Sequence, residues 1–86
     1  MDRIKAKDVR DLLDKQQYRC ALTGRHLTPD VAALDHIVPV GNGGKHSIVN
    51  VQVLHKDVNF AKGTMSQEAF ISMCRDVVKH QGYFPK

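Results

Sequence analysis

Residues 34–63, LDHIVPVGNGGKHSIVNVQVLHKDVNFAKG, decide how this chain is read. The stretch sets Asp35 and His36 ahead of a glycine-rich turn, then spaces Asn50 and Asn59 along a strand and a short helix, with Lys62 just behind. Gly41, Asn42, Gly43 and Gly44 mark a loop, because glycine and asparagine tolerate the backbone angles of tight turns. Before the loop, residues 31–40 are rich in β-branched and apolar types and predict a strand that ends at Pro39. After it, residues 48–54 alternate. Val49, Val51 and Val53 share one face and Asn50 and Gln52 the other, which predicts a second, half-buried strand. The segment HKDVNFAKG then predicts a short helical turn stopped by Gly63, where glycine can take the left-handed conformation that ends helices. Paired as a hairpin, the strands are joined by about ten residues, longer than the roughly two to five of common hairpins. Long ordered loops of this kind carry function.

Working outward, residues 7–18 put Val9, Leu12 and Leu13 at helical spacing among charged neighbours. A helix is expected there, and residues 19–29, which contain Gly24 and Pro29, are expected to turn it back toward the hairpin. Beyond Gly63, Phe70, Met73, Cys74, Val77 and Val78 fall at i, i+3, i+4, i+7 and i+8, the apolar stripe of a helix whose Met73 and Cys74 should be core. Ser66 or Thr64 can cap its start and Gly82 lies past its end. The fold class is therefore α+β: a two-stranded antiparallel hairpin with a long loop plus a short helix, a core at about residues 31–63, flanked by N-terminal and C-terminal helices. With no internal repeat and no linker, residues 1–86 read as one domain.

The 86 residues allow a single hydrophobic core, and at 42% hydrophobic and 26% charged the composition is that of a soluble globular protein. No apolar run approaches the roughly 20 residues of a membrane span, and the opening MDRIKAKDVRD is charged, so a cytoplasmic setting without a membrane partner is expected. Cys20 and Cys74 form no C-x-x-C pair, which argues against a disulfide framework and predicts two buried free thiols. The net charge of +4 permits phosphate binding, although the basic residues are scattered and most suit a solvated surface.

The polar residues of the central stretch suggest a chemistry. A carboxylate and an amide oxygen are hard ligands suited to a divalent ion such as Mg²⁺ or Mn²⁺, and Asp35 and Asn59 supply that pair. A neutral imidazole can take a proton from water near pH 7. His36 supplies it, and Asn50 can orient it by hydrogen bonding. Asn59 and Lys62 lie three apart on one helical face, with His55 four residues before Asn59 on the same side. Neighbouring strand residues point to opposite faces, so Asp35 and His36 can converge only at a strand end or through sharp twist. Taken singly, Asn50 suits a loop hydrogen bond, Lys62 a surface charge and His36 a satisfied histidine.

Together, D-H-I-x-P at Asp35 to Pro39, N-x-x-x-L at Asn50 to Leu54 and N-x-x-K-G at Asn59 to Gly63 resemble the HNH nuclease motif with its ββα-metal core. The resemblance covers about a third of the chain, and the flanks CALTG and TMSQEAFISMC also look like HNH domains. It implies that His36 is the general base, that Asp35 and Asn59 hold one divalent metal, and that Asn50 positions the histidine. The third signature position is Asn59 here, a variant also seen among active HNH nucleases. Lys62 resembles the basic residue near the phosphate backbone. The implied reaction is metal-assisted hydrolysis of a phosphodiester in double-stranded DNA, one strand per site, leaving a 5′-phosphate and a 3′-hydroxyl. A double-strand break would need a homodimer, a second encounter or a partner protein. Small stand-alone domains of this family suggest a bacterial or phage-infected host cell.

Many relatives hold a structural zinc in two C-x-x-C pairs, and the matching positions here are Cys20, Thr23, His55 and Val58. Two ligands are too few for a closed tetrahedral site, so structural zinc is not expected and packing is expected to replace it. His55 is then either a packing residue or a neighbour of Asn59. His26 and His80 read as exposed, whereas Lys45, His46, His55 and, at lower weight, Arg25 are candidate phosphate contacts. Two other classes remain open: a DNA-binding or interaction module of the same shape that cuts nothing, and a zinc scaffold using Cys20 and histidines.

Overall fold

The computed structural model describes residues 3–83. The first helix, α1 (Ala6–Lys15), is started by the Asp8 carboxylate, which accepts the Lys5 backbone N–H at 2.9 Å. It ends earlier than its periodicity predicts, because Gln17 and Tyr18 both enter the left-handed region, at φ 57° and 56°. Val9, Leu12 and Leu13 lie half-buried against the core. The following segment is a tight hairpin rather than a loose turn. Arg19 bridges His26, and the Leu27 N–H bonds to the Tyr18 carbonyl at 2.8 Å.

The strands β1 (Ala32–His36) and β2 (Val51–His55) pair antiparallel, with Asp35 opposite Gln52 and His36 opposite Val51. Both are shorter than expected, for identifiable reasons. Val38 donates its N–H to Asn50 Oδ1 and its carbonyl accepts from Asn50 Nδ2, each at 3.0 Å, so its backbone bonds a side chain and the strand stops before Pro39. On the other side Ser47 caps a single 3₁₀ turn over Ile48–Asn50, which turns Val49 out to 84% exposure instead of aligning it with Val51 and Val53. The connection therefore spans residues 37–50, more than the ten or so expected.

The expectation that β2 is half-buried is corrected, since Val51, Gln52, Val53 and Leu54 are all buried. One face carries Gln52 against Asp35 and Gln67, while on the other Val51 borders a groove shared with Leu12 of α1. The free edge of β2 is also satisfied. The Gln16 amide accepts the Val53 N–H at 3.0 Å and donates to the Val53 carbonyl at 2.9 Å, as a neighbouring strand would. The core then comprises Cys20, Leu27, Val53, Leu54, Val58 and Phe70.

The short helix α2 (Lys56–Lys62) follows β2 without a gap and packs on both strands. Gly63 ends it, as its position predicts, but at φ 54° and ψ −126°, outside the left-handed helical region expected of it. The last helix, α3 (Gln67–Gln81), is capped by the Ser66 hydroxyl, which accepts the Ala69 N–H at 3.1 Å, and stops at Gly82. Its stripe is not core. Only Phe70 is buried, while Met73, Cys74, Val77 and Val78 are exposed. The radius of gyration, 13.9 Å, exceeds the roughly 12 Å of a compact chain this long, as a helix leaving the body requires.

Candidate functional site

Where β1 ends, the chain bends away from the sheet and opens a cleft of about 650 Å³. Asp35 and His36 form one wall, the turn from Pro39 to Asn42 another, and Asn59 with Gly63 and Thr64 closes the third side. The strand end answers how adjacent residues serve one site. His36 is the last residue of β1, so its side chain is freed from the alternation that Asp35 still obeys.

Asp35 is only 5% exposed and its carboxylate is heavily bonded. Oδ2 accepts from Gln52 Nε2 at 3.0 Å and lies 3.1 Å from Lys62 Nζ, while Oδ1 accepts from the same ammonium at 3.2 Å. Gln52 also donates to Gln67 Oε1 at 2.7 Å, tying the start of α3 to the sheet. Lys62, which taken alone suits a surface charge, is instead buried. Lys62 is 1% exposed and its third short contact is the His36 carbonyl, at 3.2 Å, so the ammonium is committed beneath the cleft floor. A buried lysine needs a carboxylate partner to offset its lost hydration, and Asp35 is that partner. The pair leaves the floor electrically balanced.

The hydrogen bond expected from Asn50 to His36 is made instead by His46, whose Nδ1 lies 2.8 Å from His36 Nε2. Asn50 spends its whole amide on backbone: the Val38 N–H and carbonyl, and the Lys45 carbonyl at 2.8 Å. It thereby clamps the strand exit to the residue before His46. The clamp explains Gly44, at which a Cβ would lie 1.8 Å from the Val38 carbonyl oxygen and 2.9 Å from Asn50 Nδ2. Only a residue without a side chain fits there.

Asn59, half-buried on α2, makes no side-chain hydrogen bond among the described residues. The remaining candidates for phosphate contact are dispersed. Arg25 borders a separate apolar groove with Leu22 and Phe70, and Lys45 is exposed but absent from the cleft wall. The His55 Nδ1 accepts the Asp57 N–H at 3.2 Å and caps α2, which settles it as a helix-starting residue outside the cleft.

The four positions that would surround a zinc are occupied by packing and capping. Cys20 and Val58 sit in the core, and the Thr23 hydroxyl accepts the Arg25 N–H at 3.3 Å. Burial pushes the Cys20 thiol up, but the Thr23 hydroxyl and the backbone N–H groups of His55, Leu22 and Thr23 outweigh it and hold the thiol below its ordinary 9.0. Among the described residues no three His, Cys, Asp or Glu side chains converge as a metal cluster.

Gln52 and Gln67 were not singled out from sequence. Gln52 carried a signal, as the polar residue facing Asp35, but only the strand register reveals it. No protein-family model matches the chain, and no curated protein matches it in sequence. No described helix is long and apolar enough to cross a membrane.

Proposed function

We propose that the protein is a metal-dependent DNA endonuclease of the HNH type, hydrolysing a phosphodiester bond and nicking one strand per encounter. The observation that carries this reading is the convergence of Asp35, His36 and Asn59 on one cleft. A carboxylate and an amide oxygen suit Mg²⁺ or Mn²⁺. Asp35 Oδ1 accepts one bond where a carboxylate oxygen can accept two, and the Asn59 amide is not engaged. Such a two-donor set fits an ion that keeps most of its waters and takes a further ligand from phosphate. When bound, that ion would polarise the phosphoryl group and stabilise the departing 3′-oxygen.

The chain's own residues do the rest. His36 takes the proton of the attacking water on Nδ1, the ring nitrogen that His46 leaves free. Lys62 and Gln52 fix the Asp35 carboxylate at the cleft wall. The net charge of +4 favours approach of duplex DNA, and the cytoplasm, where that substrate lies, is the setting this reading implies.

The test is plasmid nicking by purified protein. Supercoiled DNA should relax with Mg²⁺ or Mn²⁺, a chelator should stop it, and His36→Ala should abolish it while the circular dichroism spectrum stays native. Undiminished nicking by pure His36→Ala protein sinks the role given to that residue. The Lys62–Asp35 pair, which already neutralises the carboxylate, favours one rival: a DNA-binding or interaction module of the same shape that does not cut. Tight DNA binding without cleavage under any divalent ion decides for the rival.

A further inference from the structure

We infer that His46 is a positioning residue for His36, holding the imidazole by a ring-to-ring hydrogen bond so that its other nitrogen faces the cleft. The inference rests on the reading of His36 as the base. Its grounds are geometric. The His36 Nε2 to His46 Nδ1 distance is 2.8 Å, a good hydrogen bond, and the rings are tilted by 47° with centroids 5.1 Å apart, which is edge contact rather than stacking. A histidine has two ring nitrogens, and a bond to one determines which of them remains for chemistry. With Nε2 engaged, Nδ1 of His36 makes no other hydrogen bond among the described residues.

The holder is itself held. The Lys45 carbonyl, one residue before His46, accepts from Asn50, and Gly44 lies flat against the exit of β1. His46 is therefore presented from a clamped backbone although it sits in a long loop with an exposed side chain. The ring of His36, at a strand terminus, has no other side-chain partner among the described residues. Without His46 it is free to rotate about both side-chain torsions, and the productive orientation becomes one of several.

Two measurements test the inference, and only one requires activity. In ¹⁵N-labelled protein, a scalar coupling across the N–H···N bond should connect His36 Nε2 with His46 Nδ1, and should vanish in His46→Ala. This readout holds whether or not the protein cuts DNA. In nicking kinetics, His46→Ala should lower kcat by roughly ten- to a hundredfold, the range for losing the outer partner of an oriented imidazole, with KM for DNA little changed. His46→Asn, whose amide reaches the position of the histidine Nδ1, should recover most of the loss.

Absence of the coupling in folded wild-type protein overturns the inference even if DNA is nicked. Coupling with unchanged kcat in His46→Ala overturns it as well, as does a rise in KM alone, which would make His46 a phosphate contact. If no DNA is nicked while the coupling is present, the nuclease reading fails and the inference falls with it, leaving only the hydrogen bond.

Discussion

Replacing Lys62 by methionine removes the cation beneath the cleft while keeping most of its volume. Lys62 Nζ lies 3.1 Å from Asp35 Oδ2, and the two side chains are 0% and 6% exposed. At an effective dielectric constant near 20, unit charges at that distance attract by about 5 kcal/mol. Desolvating both ions offsets much of this, so the intact pair adds little net stability. Its removal is another matter, because methionine leaves the Asp35 carboxylate buried with only Gln52 as a donor. Breaking one side of a buried pair costs about 3–5 kcal/mol. For a domain this small, whose total stability is on the order of 4–13 kcal/mol, that is a large fraction. A fall of at least about 12 °C in Tm is expected, since each kcal/mol shifts Tm by roughly 4–8 °C. Urea and thermal unfolding followed by circular dichroism measure it. The double variant Asp35→Asn with Lys62→Met should recover about half or more of the loss, because the charge is gone and the asparagine oxygen still accepts from Gln52. A Lys62→Met protein within about 1 kcal/mol of wild type refutes the claim that the pair is a closed, interdependent unit, and so does a double variant less stable than Lys62→Met alone.

Three further outcomes follow from the same structure. Gly44→Ala has no room for its Cβ against Val38, so it should destabilise the protein by about 1–3 kcal/mol, as overpacking does, and release the loop, seen as faster amide exchange at Val38 and Ile37. Phe70→Ala should cost about 3–5 kcal/mol in urea unfolding, whereas Val77→Lys, on the exposed stripe of the same helix, should stay within about 0.5 kcal/mol. Thiol labelling of native protein should modify Cys74 quickly and Cys20 only on unfolding, since burial blocks access to Cys20 despite its lowered pKa; equal rates refute the packing described for the Cys20 turn.

Much of this architecture was legible because it is local. Helix ends marked by Ser66, Gly63 and Gly82, the loop marked by its glycines, and the order of elements all follow from patterns spanning a few residues. Periodicity failed where it was asked a longer-range question. The α3 stripe shows that one face is apolar, and nothing in the stripe says whether another element covers it. The half-burial of β2 erred in the opposite direction. Alternation identified Gln52 as polar and hence exposed, whereas the register sets it opposite Asp35, where a buried amide has a partner.

The residues expected at the site divide by the same criterion. Asp35, His36 and Asn59 reach one cleft because the end of β1 and the middle of α2 place them there, which motif spacing tracks. Lys62 and Asn50 were misjudged because their partners are 27 and 12 residues away, and a side chain's type does not reveal which distant group it will find. Lysine is ordinarily solvated, yet here a carboxylate across the core outbids water for it. Asparagine can orient a ring or clamp a loop, and the backbone of Val38 and Lys45 takes all of its bonds. The consequence for the cleft is specific. With Asn50 committed to the loop and Lys62 to the floor, orientation of His36 devolves on His46, and placement of Asp35 on a buried ion pair at the cleft wall.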